Sequence, residues 1–439
     1  MERDMTKGSP AKLIFLFGLP ILLSNVFQQF YNIADTAIVG HMLGDYALSA
    51  VGAVSSVYGL LLSISFGLTN GFSILVSRYY GSREEEKMRK AIASTIMLSA
   101  LAAVLITLVG VAGMRWFLQF LHIPDEIMED GYRYITIIVA FFAVNFLYNA
   151  MASILRAVGN SVVPLVILII STLFNILLDI MFISVWNMGI AGAAYATVLA
   201  QFVASVICFI YILKRCPVLH LKKEDFAFDS TILYEVFASG IAMAMMFGVV
   251  NIGTVILQSG INGLGVDTIA AHVAARKISE VYMMPASALG STMATFASQN
   301  YGAGRLERVK LGVNTAIGIG FIWSTMVIII TYLFASPLMQ MLTGSDNAQL
   351  IATGAAYLKI NLPFYYVLII LCVLRSTLQA IGDKVLPVVS STLELLGKMA
   401  TTAIFIAPFG YMAVCFSEPV TWIVCAGLLM IVYFRRIRC

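Results

Sequence analysis

Apolar residues run along this chain in stretches of about twenty or more, separated by short polar connections. A helix needs about 20 mostly apolar residues to cross a bilayer. By that measure the chain predicts twelve membrane-spanning segments, near 13–37, 47–71, 92–114, 133–155, 162–185, 191–213, 233–257, 268–292, 312–335, 352–376, 386–408 and 411–433. The eighth is the weakest, because His272, Arg276, Lys277 and Glu280 crowd its first half. The first carries Pro20 and then turns polar over residues 27–40, where Gln28, Gln29, Asn32 and Asp35 stand among apolar neighbours. An ionisable group at membrane depth costs roughly 2.5–3.5 kcal/mol on insertion scales. Asp35 therefore has a function, or else it lies at a helix end among the lipid headgroups.

The connections alternate in charge. Those after even-numbered segments hold Arg78, Arg83, Lys87, Arg89 and Lys90, then Arg156, then Lys214, Arg215, Lys222 and Lys223, then Arg305, Arg308 and Lys310, then Lys384. Both tails are basic as well, whereas the connections after odd-numbered segments contain only Arg115 and Arg133, with an acidic run from Asp125 to Asp130. Lys/Arg bias in short loops sets orientation, so both termini are expected in the cytoplasm.

The chain also repeats itself. Residues 78–83 align with 299–304, residues 155–160 with 378–383, Pro164 with Pro387, Tyr134 with Tyr357 and Gly44 with Gly265. Two halves of six segments follow: an N-terminal lobe over 1–213, a cytoplasmic connecting loop over 214–230 and a C-terminal lobe over 231–439. An even number of spans per repeat gives parallel repeats, a recurrent plan of secondary transporters.

Composition agrees with this all-α membrane reading. The 439 residues are 60% hydrophobic and 11% charged, with a mean hydropathy of +0.92, too little charge to cover a water-facing surface. The net charge of +4 is segregated in the connections and forms no continuous basic face, so nucleic acid is not an expected partner. The first segment is too long for a cleavable signal and reads as a retained span. Six cysteines (Cys208, Cys216, Cys372, Cys415, Cys425 and Cys439) form no C-x-x-C pair and fall mostly in apolar spans, where they pack as small hydrophobes.

No nucleotide-binding G-x-x-x-x-G-K-[ST], zinc-binding H-E-x-x-H or G-x-S-x-G elbow is present, and the histidines His41, His122, His220 and His272 are scattered. Transport, if this is a transporter, must therefore draw on an ion gradient, with no nucleotide and no cofactor. The polar residues within the spans of the first half are few. Asp35 is in the first segment; Asn175 and Asp179 lie four apart in the fifth and share one helix face. Thr197 follows the small-residue run 189–196 that opens the sixth, where helices can approach closely. Two carboxylates, an amide and a hydroxyl suit an oxygen-lined Na⁺ site. They equally suit two carboxylates sharing a proton, since like charges in a low-dielectric site resist joint ionisation.

The spacing from Pro20 to Asp35, the run Asp35-Thr-Ala-Ile-Val-Gly, Asn175-x-x-x-Asp179 and the stretch from Gly189 to Gln201 resemble the multidrug and toxic compound extrusion (MATE) transporters over essentially the whole chain. The resemblance implies twelve transmembrane helices in two six-helix lobes, in a multi-pass protein of the cytoplasmic membrane. It also implies export of amphipathic, often cationic drugs in exchange for H⁺ or Na⁺. On the family's pattern Asp35, Asn175, Asp179 and Thr197 map onto the cation site, Pro20 onto a first-helix hinge, and Gln28 and Tyr31 onto positions facing the lobe cavity. Asn149 joins them as a candidate substrate contact, and a monomer is expected.

The chain departs from one branch of that family, which carries acids midway through the seventh and in the tenth helix; here Glu235 only begins the seventh and the tenth has none. The C-terminal lobe offers instead Glu280, Glu394 and Lys398, a candidate charge cluster. Lys398 falls on the repeat position of Asn175 (160 to 383 is an offset of 223), which suggests either a tethered ammonium paired with Glu394 or Glu280 in place of a mobile cation, or an ordinary i,i+4 ion pair tying helices together. The two acids of the N-terminal lobe favour H⁺ over Na⁺. A lipid-linked precursor flippase is the alternative, carried by Arg276, Lys277 and Lys398. A membrane enzyme or a scaffold would be the reading from another class, and no paired catalytic groups support the former.

Overall fold

The structure, a computed structural model, describes residues 3–438 apart from 122, 228 and 345. His122, Cys439 and the side chain of Arg438 lie outside the described residues. The described chain is helical throughout, with no strand: α1 (Pro10–Leu43), α2 (Asp45–Ser82), α3 (Glu85–Phe120), α4 (Asp125–Ala140), α5 (Phe142–Ala157), α6 (Val162–Ile180), α7 (Ile190–Arg215), α8 (Ser230–Ile261), α9 (Val266–Gly302), α10 (Leu306–Thr343), α11 (Ala348–Asn361), α12 (Tyr365–Ala380), α13 (Leu386–Ala400), α14 (Ile406–Phe409) and α15 (Tyr411–Arg438).

Among the described residues, ten helical segments are long and apolar enough to cross a membrane, and α4 with α5, bent by 49° at Phe141, makes an eleventh. The one predicted span left over, the eighth, is α9, 37 residues long but too polar to pass on composition. Its Arg276 is paired with the buried Glu418 and its Lys277 with Glu280 on a more exposed face, and pairing is how a polar helix is tolerated at membrane depth. At the bend, Thr107 Oγ1 on α3 donates to the Val139 carbonyl at 3.1 Å and so satisfies a backbone group beside the break.

Several helices outrun their apolar cores. The basic run after the second predicted segment is helical on both sides of a two-residue turn at Arg83 and Glu84. Lys90 pairs with Glu86 at 2.9 Å and Arg89 with Glu85 at 3.6 Å, one turn apart, the spacing at which charges support a helix in water. Asp125 and Glu126, expected in a loop, form the first turn of α4, where the helix dipole favours acids.

Two compact units divide the chain. Unit 1 holds residues 3–4 and 23–244, and unit 2 holds residues 5–22 and 245–438. Both α1 and α8 therefore change unit partway along. Close backbone approaches account for this. On α2, a Cβ at Gly67 would sit 2.7 Å from Ala244 Cα, and one at Gly71 would sit 2.5 Å from the Ser239 carbonyl oxygen, so the Gly-x-x-x-Gly face holds the first half of α8 in unit 1. In unit 2, a Cβ at Gly18 of α1 would lie 2.9 Å from Thr292 Oγ1 on α9.

The internal repeat is visible in backbone detail. α6 ends in a π-turn at Met181–Val185 and α13 in another at Thr401–Phe405. α7 starts from Gly189 (φ 60, ψ −144) and α15 from Gly410 (φ 55, ψ −139), a conformation open essentially to glycine alone.

Candidate functional site

α1, α6 and α7 bring the four predicted cation-site residues together within unit 1. Asp35, Asn175, Asp179 and Thr197 retain 7%, 1%, 0% and 1% of their exposure. The carboxyls of Asp35 and Asp179 lie within hydrogen-bonding range of each other. With its amide oriented to satisfy both ends, Asn175 donates to Asp179 Oδ2 at 3.0 Å and accepts from the Thr197 backbone N–H at 3.3 Å. Tyr31, one turn before Asp35, shares a 3.1 Å hydrogen bond with Thr197 Oγ1.

The local sequence explains this convergence. Asn175 and Asp179 are one turn apart on α6, and the π-turn starting two residues after Asp179 re-aims the chain into Gly189. Alanines at 191, 193, 194 and 196 then let α7 lie close, with Thr197 facing inward. Asp35 Oδ1 and Asp179 Oδ1 find no protein donor. Two buried carboxyls facing each other need a proton or a cation between them, because each alone only accepts. No group of three or more His, Cys, Asp or Glu suited to a metal ion occurs among the described residues. A bound Na⁺ would thus have to complete its shell with neutral oxygens.

Sequence reasoning missed part of the surroundings. Besides the expected Tyr31, Tyr58 and Tyr134 lie within electrostatic reach of Asp35, and Gln201 Nε2 donates to the Tyr58 hydroxyl at 3.3 Å. Two signals were present: Tyr134 has a repeat partner in Tyr357, and Gln201 is one helical turn beyond Thr197. Gln28 is half-buried in the second half of α1. Asn149 is turned into its own helix, donating to Asn145 Oδ1 at 2.9 Å, and Asn145 Oδ1 also accepts from Ser65 at 3.1 Å. Pro20 lies inside α1 without ending it.

Unit 2 contains a second buried polar centre. Lys398 Nζ lies 3.4 Å from Glu394 Oε1, 3.6 Å from Glu418 Oε1 and 3.2 Å from Thr254 Oγ1. Arg276 binds Glu418 Oε1 at 2.7 Å, Tyr357 donates to Glu418 Oε2 at 3.1 Å, and Arg375 pairs with Glu394 at 3.3 Å. The expected Lys398–Glu394 contact is thus present. Glu280 instead pairs with Lys277 at 3.1 Å, three residues away on a more exposed face of α9, and Glu418 takes the place considered for it. Aligning Gly189 with Gly410, an offset of 221, would have found Glu418, because it then falls on Thr197.

Comparison with known proteins follows this geometry. The MatE family model matches residues 20–181 and 242–416. A probable multidrug resistance protein of Bacillus subtilis, YoeA, is 27% identical over 404 residues, covering 90% of this chain and 87% of that protein. The probable multidrug resistance protein NorM of Thermotoga maritima is 23% identical over 391 residues, covering 88% and 83%. Among solved structures, a MOP superfamily transporter from Pyrococcus furiosus superposes with a TM-score of 0.91 at 23% identity, covering 99% of this chain and 97% of that one. A MATE crystal structure in the bent conformation gives 0.92 at 22%, with 99% and 97% covered.

Proposed function

The chain belongs to the MatE family of multidrug efflux transporters, and from that premise we propose that it is a proton-coupled antiporter for amphipathic, often cationic compounds. It is a multi-pass membrane protein with the twelve-helix, two-lobe fold of that family. In this reading it sits in the cytoplasmic membrane with both termini inside, as the Lys/Arg bias of the connections favours.

The observation that carries the proposal is the buried Asp35–Asp179 pair. Charge on this pair and a cationic drug are thermodynamically linked: proton uptake weakens drug binding, and drug binding weakens proton uptake by the same factor. Protonation from outside then releases the drug, and deprotonation toward the cytoplasm resets the site. Asn175 and Thr197 hold Asp179 in place, and Tyr31 joins the α1 and α7 sides of the site. Carboxyls in direct contact favour a shared proton over Na⁺, which would have to part them.

The test is ethidium efflux from proteoliposomes with a pH gradient and a Na⁺ gradient imposed separately. A pH gradient alone is expected to drive efflux, and Asp35→Asn and Asp179→Asn are each expected to abolish it while leaving the protein inserted. Wild-type rates from both variants would sink the site assignment. Efflux driven by Na⁺ alone would overturn the choice of ion and leave the site standing.

A further inference from the structure

The segment ahead of α1 is held by side chains rather than by secondary structure. Met5 is fully buried, and both its backbone groups are taken by side chains of unit 2. Its N–H donates to Gln299 Oε1 at 2.9 Å, and its carbonyl accepts from Asn300 Nδ2 at 3.1 Å and from Arg308 Nη2 at 3.2 Å. Arg305 donates to the Thr6 carbonyl at 2.7 Å, and Arg308 Nη1 to the Gly8 carbonyl at 3.0 Å. Asn300 Oδ1 accepts from Arg308 Nε at 3.0 Å and so steadies the guanidinium. Hydrogen bonds from a charged donor are roughly twice as strong as neutral ones, and here the carbonyls of Met5, Thr6 and Gly8 each receive one.

The other half of the repeat fixes its lead-in differently. At the 221 offset, positions 299, 300, 305 and 308 correspond to Arg78, Tyr79, Glu84 and Lys87. Glu84 and Lys87 pair with each other at the surface. The segment ahead of α8 is instead fixed by Asp225, which accepts from the Lys222 backbone N–H at 2.7 Å and pairs with Arg89 at 3.4 Å. Packing a lead-in onto this fold does not by itself require capture of one carbonyl after another. What differs is the helix each lead-in feeds: α1 carries Tyr31 and Asp35, whereas the α8 counterpart of Asp35 is Ile256.

We propose that Arg308, with Gln299, Asn300 and Arg305, is a clamp that positions α1 for coupling. The clamp grips the start of the helix in unit 2, while Asp35 lies on the same helix in unit 1, with Pro20 between them. From residue 10 to residue 35 the helix runs roughly 38 Å at about 1.5 Å per residue. A helix whose near end can slide dissipates any displacement generated at its far end. With that end fixed, a displacement produced at Asp35 by a change of its charge has to be taken up within α1 instead of being lost by sliding of its start. These four side chains are positioning residues that act through α1, and the inference rests on the antiport reading above.

The experiment is a double-mutant cycle in proteoliposomes. Arg308→Ala removes the gripping cation, deletion of residues 2–8 removes what it grips, and a third variant combines the two. Equilibrium ethidium binding and gradient-driven efflux are measured for each. Each single variant is expected to lose turnover by about tenfold with the ethidium dissociation constant unchanged. The combined variant is expected to lose no more, because both changes break one interaction. Arg308→Lys keeps the charge but not the guanidinium fork; it guards against a folding defect in the alanine variant and is expected to show a smaller turnover loss, again with unchanged binding. Additive losses in the combined variant, wild-type turnover in either single variant, or a parallel loss of ethidium binding overturns the clamp. If the antiport reading itself is wrong, the wild-type protein shows no gradient-driven efflux at all.

Discussion

Replacing Glu418 by Gln and Lys398 by Met should have opposite consequences, although the two side chains touch each other. The buried centre of unit 2 holds three cations, Arg276, Arg375 and Lys398, against two carboxylates, Glu394 and Glu418. At 2.7 Å and an effective dielectric of about 20, the attraction between Arg276 and Glu418 is roughly 6 kcal/mol. Against it stand several kcal/mol of desolvation for each ion. Glu418→Gln leaves Arg276 and Lys398 without that countercharge, and stranding a buried charge costs about 3–5 kcal/mol. Lys398→Met removes the surplus cation and leaves two balanced pairs, Arg276–Glu418 at 2.7 Å and Arg375–Glu394 at 3.3 Å. Methionine nearly matches lysine in shape, and exchanging a buried charge for an apolar isostere is often neutral or stabilising. Thermal unfolding in detergent, followed by fluorescence-detected size exclusion, reads the difference. At about 2–4 °C per kcal/mol for a domain of this size, Glu418→Gln should lower the midpoint by roughly 6 °C or more, and Lys398→Met should leave it level or raise it. Equal destabilisation by both variants would refute the charge count. The methionine variant also tests the tethered-ammonium idea, which predicts that its efflux or the pH dependence of that efflux changes.

Gly71→Ala places a Cβ about 2.5 Å from the Ser239 carbonyl oxygen. The overpacking cost of about 1–3 kcal/mol should outweigh the roughly 1 kcal/mol gained in helix propensity, so a melting temperature at or above wild type would contradict the close approach of α2 and α8. Gly189→Ala forces a side chain into φ 60, ψ −144; a loss of about 1–3 kcal/mol is expected, read as a lower melting midpoint. Tyr31→Phe removes the hydrogen bond to Thr197, worth about 0.5–1.5 kcal/mol. It should reduce efflux by no more than about tenfold, far short of the loss expected for Asp35→Asn, in the same proteoliposome assay.

Much of this protein is legible in its sequence because a bilayer imposes a length on every apolar run. The spans, the repeat and the set Asp35, Asn175, Asp179 and Thr197 all follow from periodicity, small residues and the cost of an intramembrane acid. Other features leave no local mark. The bend at Phe141 has neither Pro nor Gly, and the Thr107 hydroxyl that meets the Val139 carbonyl beside it comes from a neighbouring helix. The two π-turns follow ordinary apolar runs. Glu280 stands among the sequence candidates and Glu418 does not, although both are acids in spans, because only their partners distinguish them: Lys277 lies three residues from the first, whereas Arg276 reaches the second across 142 positions of chain. Asn149, a candidate substrate contact by sequence, has its amide engaged by Asn145 one turn away on the same helix. Long-range pairing decides such cases, and one sequence carries it only through the repeat offset.

The change of unit within α1 also bears on how the chain is made. Met5 is synthesised well before its partner Gln299, which follows 294 positions later. At synthesis rates of roughly 5–20 residues per second, the first half of α1 waits on the order of 15–60 s for the surface it will bury against. Residues 23–244 of unit 1 are synthesised in that interval, while residues 5–22 await the rest of unit 2, which begins at Met245. Native contact between Met5 and Gln299 therefore forms only after most of the chain has been made, and slowing translation between them should lengthen the period in which Met5 is open to protease.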